Sequence, residues 1–290
     1  MTWDGVFRLA ADPLERLAQR HGGFVWTGAR QAPRALASVD TAGLGDLAPV
    51  FSRRSLSSAR EAAGRGADFL VAESLVRAMP WAHGVWGHPH PVWALASVLD
   101  DVKVPDAPPV VGQGARIDPR AVLGPRVVLG ERVVVGAGAV IGHPGFGWAD
   151  GPNGAIRAVP QLAGVVIEDD VSIGPLCTVD AGTLQPTRLR RGVKLDAHVH
   201  VGHNTDIGER TLVAAQCGFA GSVRIGRGVL VGGQVGISDH VVVGDGARIA
   251  AKSGVIGDVP PGITVAGYPA VRRVRWLRAL AKLYGRHELG

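Results

Sequence analysis

Apolar residues recur at every sixth position along most of this chain, beginning at Val111. The longest unbroken run holds twelve of them, spaced six apart from Leu189 to Val255. A period of six fits neither an α-helix, which repeats every 3.6 residues, nor a continuous strand, whose side chains alternate. It is typical of a short strand followed by a turn, repeated as in a parallel β-helix. We therefore predict a mainly β fold of stacked triangular coils.

The positions around each repeated apolar residue also follow a rule. A small residue usually lies two positions earlier and should point into the same core, because side chains alternate along a strand. The next residue is very often Gly or Asp, as at Gly136 and Gly208. We expect this residue to adopt the tight or left-handed backbone of each corner.

The period divides the chain into three predicted domains. Residues 1–105 do not follow it and should form a small α/β domain, while residues 106–266 form the β-helix. Residues 267–290 carry six basic side chains among apolar ones, which predicts a basic amphipathic C-terminal α-helix.

Turn and capping residues predict the elements of the first domain. Asp12 should cap a helix that has Pro13 in its first turn and ends at Gly22. The other predicted elements are a helix over 57–63, a strand over 67–71 and a proline-initiated helix over 91–99.

Two insertions interrupt the period inside the β-helix, over 143–164 and 181–188. Loops on a rigid scaffold often carry binding sites. The alternative is that these insertions have no role in function.

Composition and charge limit the cellular context and the partners. Cys177 and Cys217 fall on inward small-residue positions, so we interpret them as core residues of a protein in a reducing compartment. The start of the chain does not resemble a signal peptide and no apolar run is long enough to span a bilayer, which predicts a cytoplasmic protein. The net charge of +6 favours an acidic protein partner or phosphorylated substrates. We recognise no nucleic-acid-binding module.

Histidine residues are the strongest candidates for chemistry. Strand alternation turns His198 and His200 outward, and His203 follows the next corner glycine and should be exposed. His203 and His240 are separated by about two coils, so they should share a corner on the order of 10 Å apart. An imidazole there can act as a general base, with Asp196 or Asp239 to orient it. The alternatives are solvated corner residues or a zinc site formed by His198, His200 and His203.

Several sequence motifs stand out, and they include Gly145-Phe146-Gly147-Trp148-Ala149, Gly192-Val193-Lys194-Leu195-Asp196, Val201-Gly202-His203-Asn204 and Gly232-Gly233-Gln234-Val235-Gly236-Ile237. These motifs resemble UDP-3-O-(3-hydroxyacyl)glucosamine N-acyltransferase of the lipid A pathway. The resemblance covers the whole β-helix and the C-terminal helix, is weaker in the N-terminal domain, and implies that the β-helix is left-handed.

The resemblance implies a homotrimer with active sites between neighbouring prisms. An acyl carrier protein delivers a 3-hydroxyacyl thioester to the 2-amine of a UDP-sugar, and neither a cofactor nor a metal is expected. His203 matches the catalytic base, Asp196 its supporting carboxylate, His240 a second histidine near the sugar, and Gly221 the N–H that faces the oxyanion. The expected substrate-binding residues are Phe51, Arg53, Arg54, Phe146, Asn204 and Gln234, and the expected carrier-binding residues are Arg272, Arg273, Arg275 and Arg278.

The chain departs from the family pattern at three places. Asp180-Ala181-Gly182 stands where the family commonly has Asp-Arg-Gly, and Asp196-Ala197 where it has Asp-Asn. The segment after Phe51 lacks the tyrosine of the family's uracil clamp. The alternatives are that Arg53 or Arg54 meets a diphosphate, or that the nucleotide clamp is weakened or lost. The leading hypothesis is an acyl-carrier-dependent N-acyltransferase. The alternatives are another hexapeptide acyltransferase using an acyl-CoA donor, a zinc enzyme and a scaffold trimer.

Overall fold

A computed structural model describes residues 7–102 and 104–284. Its contacts divide the chain into two compact units, which we call the N-terminal unit and the β-helix unit. Arg286, which we assigned to the C-terminal helix, lies outside these residues. The N-terminal unit comprises Met1–Pro105, Gly147–Leu162 and Thr183–Gln185, and the β-helix unit comprises Asp106–Phe146, Ala163–Gly182 and Pro186–Gly290.

The N-terminal unit contains a six-stranded sheet whose central strands are parallel and whose two outermost pairs are antiparallel. Alanine residues of one helix and apolar residues of the sheet form its buried core. In sheet order the strands are Phe7–Arg8, Ala35–Leu36, Asp46–Val50, Asp68–Ala72, Val85–His88 and Phe24–Thr27. The α-helices are α1 (Leu14–His21), α2 (Leu56–Gly64) and α3 (Pro91–Asp101), and short 3-10 helices span Arg53–Ser55, Glu73–Ala78 and Pro152–Gly154.

The predicted helices are confirmed, with one correction at the start of α1. Pro13 has an extended ψ of 152° and therefore takes the N-cap position that we assigned to Asp12. The Asp12 carboxylate instead pairs with Arg16 and Arg20. Gly22, with φ of 89°, ends the helix as predicted.

Most of the first insertion packs inside the N-terminal unit. It forms an antiparallel hairpin of Trp148–Asp150 and Ile156–Ala158 against α3. The Arg157 guanidinium lies 4.9 Å from the centre of the Trp93 ring and donates a hydrogen bond to Ser97 Oγ at 2.7 Å. The period is interrupted here because this segment packs on another element.

The β-helix unit consists of parallel strands stacked on three faces. The first face contains Val110–Val111, Val127–Leu129, Val165–Ile167, Thr187–Leu189, Asp206–Ile207, Arg224–Ile225 and Val242–Val243. The second contains Arg116–Ile117, Val134–Val135, Ser172–Ile173, Lys194–Leu195, Leu212–Val213, Leu230–Val231, Arg248–Ile249, Thr264–Ala266 and the antiparallel Val271–Arg272. The third contains Val122–Leu123, Val140–Pro144, Thr178–Ala181, His200–Val201, Gly218–Phe219, Gly236–Ile237 and Gly254–Val255.

The repeated apolar residues form the core of this unit, as the period predicts. From Leu129 onward they are buried in one continuous cluster, together with Cys177 and Cys217. Val111 is an exception at 47% exposed, because it lies in the outermost strand of the first face. The interpretation of both cysteines as core residues is therefore confirmed.

The left-handed corner residue is not the one that we predicted. Positive φ falls three positions after the repeated apolar residue, as at His198 (58°), Asn204 (61°) and His240 (56°). The glycine that directly follows the repeated apolar residue is required for a different reason. A Cβ on Gly136 would lie 2.7 Å from the backbone nitrogen of Pro175, so close stacking of adjacent coils requires the absence of a side chain.

The β-helix unit ends in the predicted C-terminal helix, but the helix begins at Arg273 and not at residue 267, because Val271–Arg272 pairs as an antiparallel strand with Thr264–Ala266. This helix is α4 (Arg273–Tyr284). Its apolar side chains Val274 and Leu277 are exposed in the single chain, and Trp276 lies against Gly267.

Candidate functional site

The predicted catalytic residues flank the third face of the β-helix. His203 follows the strand His200–Val201 of that face, at the corner leading to the first face. Asp196 precedes it by seven residues, at the corner between the second and third faces. One chain therefore presents the two side chains at different corners of one coil.

His203 is half-buried between two glycines, which corrects the prediction that it is exposed. A Cβ on Gly145 would lie 2.6 Å from His203 Cβ. A Cβ on Gly221, in the next coil, would lie 2.5 Å from His203 Nε2. The imidazole therefore occupies space that any larger residue at these two positions would fill.

Hydrogen bonds fix the orientation of this imidazole. His203 Nδ1 lies 3.1 Å from Asn204 Oδ1, and since an amide oxygen only accepts, Nδ1–H is the donor. The backbone N–H of Asn204 donates to Thr187 Oγ1 at 2.9 Å. This arrangement leaves the lone pair of the neutral ring on Nε2, the atom that faces Gly221.

Strand register places His240 at the same corner as His203, two coils along, as predicted. His200 pairs with Gly218 and Gly218 with Gly236, so Asp239 is in register with His203. His240 is exposed, and its backbone N–H donates to the Gly221 carbonyl oxygen at 3.2 Å.

The opposite corner of the third face carries Asp196 and Gln234. Both are exposed. Asp196 Oδ1 accepts a hydrogen bond from the Ala197 N–H at 2.7 Å, and Gln234 Nε2 donates to Gln216 Oε1 at 2.8 Å. Within one chain, therefore, the Asp196 carboxylate supports its own turn.

An open groove of about 590 Å³ runs along the third face between these corners. Its floor contains the outward row of Gly218, Gly236 and Gly254, in register below His200. A Cβ on Gly218 or Gly236 would meet nothing within 4 Å, whereas the ring of Tyr268 lies against Gly254. The row therefore forms a flat strip that ends at an aromatic ring.

A buried carboxylate beside the histidines was absent from our predicted site. Asp180 is 7% exposed, and its Oδ2 lies 3.7 Å from His200 Nε2. Burial raises the pKa of Asp180, and the nearby His200, His143 and His203 oppose that rise. The feature of the sequence that could have pointed to Asp180 is its position directly after Val179, where many coils have glycine.

The predicted contacts for nucleotide and carrier protein are partly exposed or exposed. In the N-terminal unit, Phe51 is half-buried, while Arg53 and Arg54 are exposed on a 3-10 helix. In the β-helix unit, Phe146 is 87% exposed. A hollow of about 1150 Å³ beside α4 is lined by basic side chains, which are Arg248, Arg272, Arg273, Arg275, Arg278 and Lys282.

Within residues 7–102 and 104–284, no three His, Cys, Asp or Glu side chains are arranged to hold a metal ion. Among the same residues, no helix is long and apolar enough to cross a membrane.

Parts of this chain are similar in sequence to known proteins. The bacterial transferase hexapeptide (six repeats) family matches residues 108–143. A UDP-3-O-acylglucosamine N-acyltransferase from Anaeromyxobacter dehalogenans is 48% identical over 153 residues, covering 51% of this chain and 43% of the relative. One from Agrobacterium fabrum is 52% identical over 147 residues, covering 51% and 41%. The predicted resemblance is confirmed for this half of the chain.

The sequence matches cover only part of each relative, and a solved structure shares the fold. The aligned part of the chain spans less than half the length of these relatives. The structure of a UDP-N-acetylglucosamine acyltransferase from Bacteroides fragilis matches with a TM-score of 0.50 at 21% identity, covering 61% of this chain and 74% of that one. The predicted left-handed parallel β-helix, with a small N-terminal α/β domain and a C-terminal helix, is therefore confirmed.

Proposed function

We propose that this chain is an N-acyltransferase of lipid A biosynthesis. It moves a 3-hydroxyacyl chain from an acyl carrier protein thioester to the 2-amine of UDP-3-O-acylglucosamine. The names of the relatives supply the substrate class. The main observation behind this proposal is the position of the His203 imidazole. It lies between Gly145 and Gly221 with Nε2 available, beside a face that bears an open groove.

The proposed reaction uses His203 as general base. Nε2 takes a proton from the amine as its nitrogen bonds to the thioester carbonyl carbon. The carbon–sulfur bond then breaks, and the proton passes to the departing thiolate of the carrier. The Asn204 amide oxygen holds the tautomer that this step needs. The Gly221 N–H is proposed to stabilise the tetrahedral oxyanion, a contribution of about 3 kcal/mol for such donors.

Within the β-helix unit, the surroundings of His203 offer places for the acyl chain and the sugar. The glycine row of the third face suits an extended acyl chain, because no side chain of the row obstructs it. Phe146, Asn204, His240 and Gln234 are proposed to contact the sugar. Phe51, Arg53 and Arg54 are proposed to contact the nucleotide, with guanidinium groups on the diphosphate.

The basic hollow beside α4 is the proposed docking site for the acyl carrier protein. Arg272, Arg273, Arg275 and Arg278 are exposed there, and an acidic partner would be attracted electrostatically. No cofactor is required, since the thioester itself activates the acyl group.

A homotrimer in the cytoplasm is the proposed working form. Asp196 and His203 occupy different corners of one coil, so Asp196 can support His203 only from a neighbouring copy. Sedimentation analysis of the full chain tests the trimer directly.

The test of function supplies acyl carrier thioester and UDP-3-O-acylglucosamine and measures amide product by mass spectrometry. We expect product with the unmodified chain, nearly none with His203→Ala, and full activity with His83→Ala, an exposed histidine of the N-terminal unit. Absence of product with active carrier, or full activity of His203→Ala, contradicts the proposal.

A second candidate is a sugar acyltransferase that uses an acyl-CoA donor. It is favoured by the segment after Phe51, where Arg53 and Arg54 stand in place of the family's aromatic clamp. Turnover with acyl-CoA but not with carrier thioesters supports this candidate instead.

A further inference from the structure

Asp180 is a buried carboxylate at the edge of the third face. It lies in the strand Thr178–Ala181, in register with His143 of the preceding coil, and the strand of the following coil carries His200. The equivalent position in the following coil is Gly202, because Thr178 pairs with His200 and Val179 with Val201. A charged side chain therefore stands at a corner where the next coil has none.

His200 is held on two sides by this strand. Its Nδ1 lies 2.7 Å from Thr178 Oγ1, and its Nε2 lies 3.7 Å from Asp180 Oδ2. The imidazole is half-exposed and lines the groove of the third face. Two contacts from a neighbouring strand thus set the direction in which this ring faces the groove.

Three histidines lie near this carboxylate. His143 is in register with Asp180 in the preceding coil, His200 Nε2 lies 3.7 Å from its Oδ2, and the charge of each of His143, His200 and His203 lowers the pKa of Asp180. A negative charge in such a low-dielectric position stabilises positive charge on any of the three. In the proposed reaction, His203 becomes positively charged when it takes the amine proton.

We propose that Asp180 is a positioning residue that orients His200 at the groove and supplies the negative charge facing His203 as it gains a proton. The inference rests on the proposed function for its catalytic consequence only. The orientation of His200 can be measured without any substrate.

The substrate-free test is ¹⁵N NMR of the histidine rings in the full chain. In Asp180→Asn we expect the ring ¹⁵N signals of His200 to move, because an amide replaces the carboxylate that lies 3.7 Å from its Nε2. Asp245→Asn, an exposed carboxylate paired with Arg227, should leave those signals unchanged. Unchanged His200 ring signals in Asp180→Asn overturn the proposal, whether or not the chain proves to be an N-acyltransferase.

The catalytic test is the pH profile of kcat/KM. In Asp180→Asn we expect kcat to fall about 10-fold or more, with little change in KM, and the acid limb to move to lower pH. A merely structural role would lower activity equally at every pH. A change in KM alone overturns the assignment.

A double-mutant cycle with His200→Gln measures the coupling between Asp180 and His200. Because Asp180 acts partly through His200, the double variant should lose less than the product of the two single losses. His200→Gln alone leaves Asp180 in place, so it keeps the proposal testable if Asp180→Asn folds poorly, and it should reproduce part of the loss in kcat. Fully independent effects of the two substitutions overturn the proposal.

Discussion

Histidines in the two units have opposite surroundings. In the N-terminal unit, His88 is 3% exposed, its Nδ1 accepts the His90 N–H at 2.8 Å, and its Nε2 contacts the His21 carbonyl oxygen at 3.2 Å. In the β-helix unit, His200 and His203 project from a regular strand and the turn after it. The first environment uses both ring nitrogens in contacts with the backbone, whereas the second leaves Nε2 of His203 available for the proposed reaction. Burial and backbone bonding thus distinguish His88 from the proposed general base.

The largest expected effect is on activity. His203→Ala should lower kcat/KM by about 10²–10⁴-fold, the usual contribution of a positioned base, while thermal unfolding stays nearly unchanged. Kinetics with the carrier thioester, together with a melting curve, check both parts. If His203→Ala lowers the melting temperature as much as a core substitution would, the contrast between His88 as a structural residue and His203 as a catalytic one is wrong.

The next largest effect concerns Asp68, a buried carboxylate of the N-terminal unit. Burial raises the pKa of Asp68 to about 6, with Arg30 opposing the rise. In the folded state Asp68 therefore stays protonated to a higher pH than in the unfolded chain, where its pKa is 3.8. The free energy of unfolding consequently decreases as the pH rises from 3.8 to about 6. The loss is about 3 kcal/mol and persists at higher pH.

Asp68→Asn should abolish that pH dependence. Hydrogen exchange of the strand Asp68–Ala72 at pH 4 and pH 8, in the full chain with and without urea, measures it. An equal change between the two pH values in the variant and the unmodified chain shows that another group is responsible.

A smaller effect is expected at Gly221 of the β-helix. Gly221→Ala would place Cβ 2.5 Å from His203 Nε2, so the ring or the coil must shift. Overpacking of this kind costs about 1–3 kcal/mol, and activity should fall with the displaced imidazole. Gly257→Ala, where a Cβ meets nothing within 4 Å, is the matched control. Equal behaviour of the two variants in melting and in assay contradicts the packing of His203.

The smallest effect is the acid sensitivity of His88. Burial lowers the pKa of His88 from 6.5, with His90 adding to the decrease and backbone hydrogen bonds opposing it. Its contribution to stability is therefore complete above about pH 6.5 and is lost as the pH falls below that value. Protonation of Nδ1 breaks the bond from the His90 N–H, a loss of about 1 kcal/mol.

Hydrogen exchange of the α3 backbone amides at pH 7.5 and 5.5 should detect the loss of stability on protonation of His88. His88→Gln should remove the difference between the two pH values, and His83→Gln, at an exposed site, should preserve it. A difference that survives in His88→Gln assigns the effect elsewhere.

The sequence by itself determined the β-helix and its core. The six-residue period from Leu189 to Val255 is a local property, since each strand and turn repeats the same geometry and stacking buries the same position each time. The end of α1 at Gly22 and the start of α3 at a proline are likewise determined by local sequence. Resemblance, in turn, pointed to His203 and its neighbour Asn204.

Only the tertiary structure decided what surrounds those residues. Asp180 and His200 are 20 residues apart, and the second insertion changes the coil length, so no fixed spacing reveals their contact. The place of Gly145 against His203 depends on how the first insertion leaves the coil. Side chains meet through stacking between coils, and that register is set by insertions whose own packing the period does not encode.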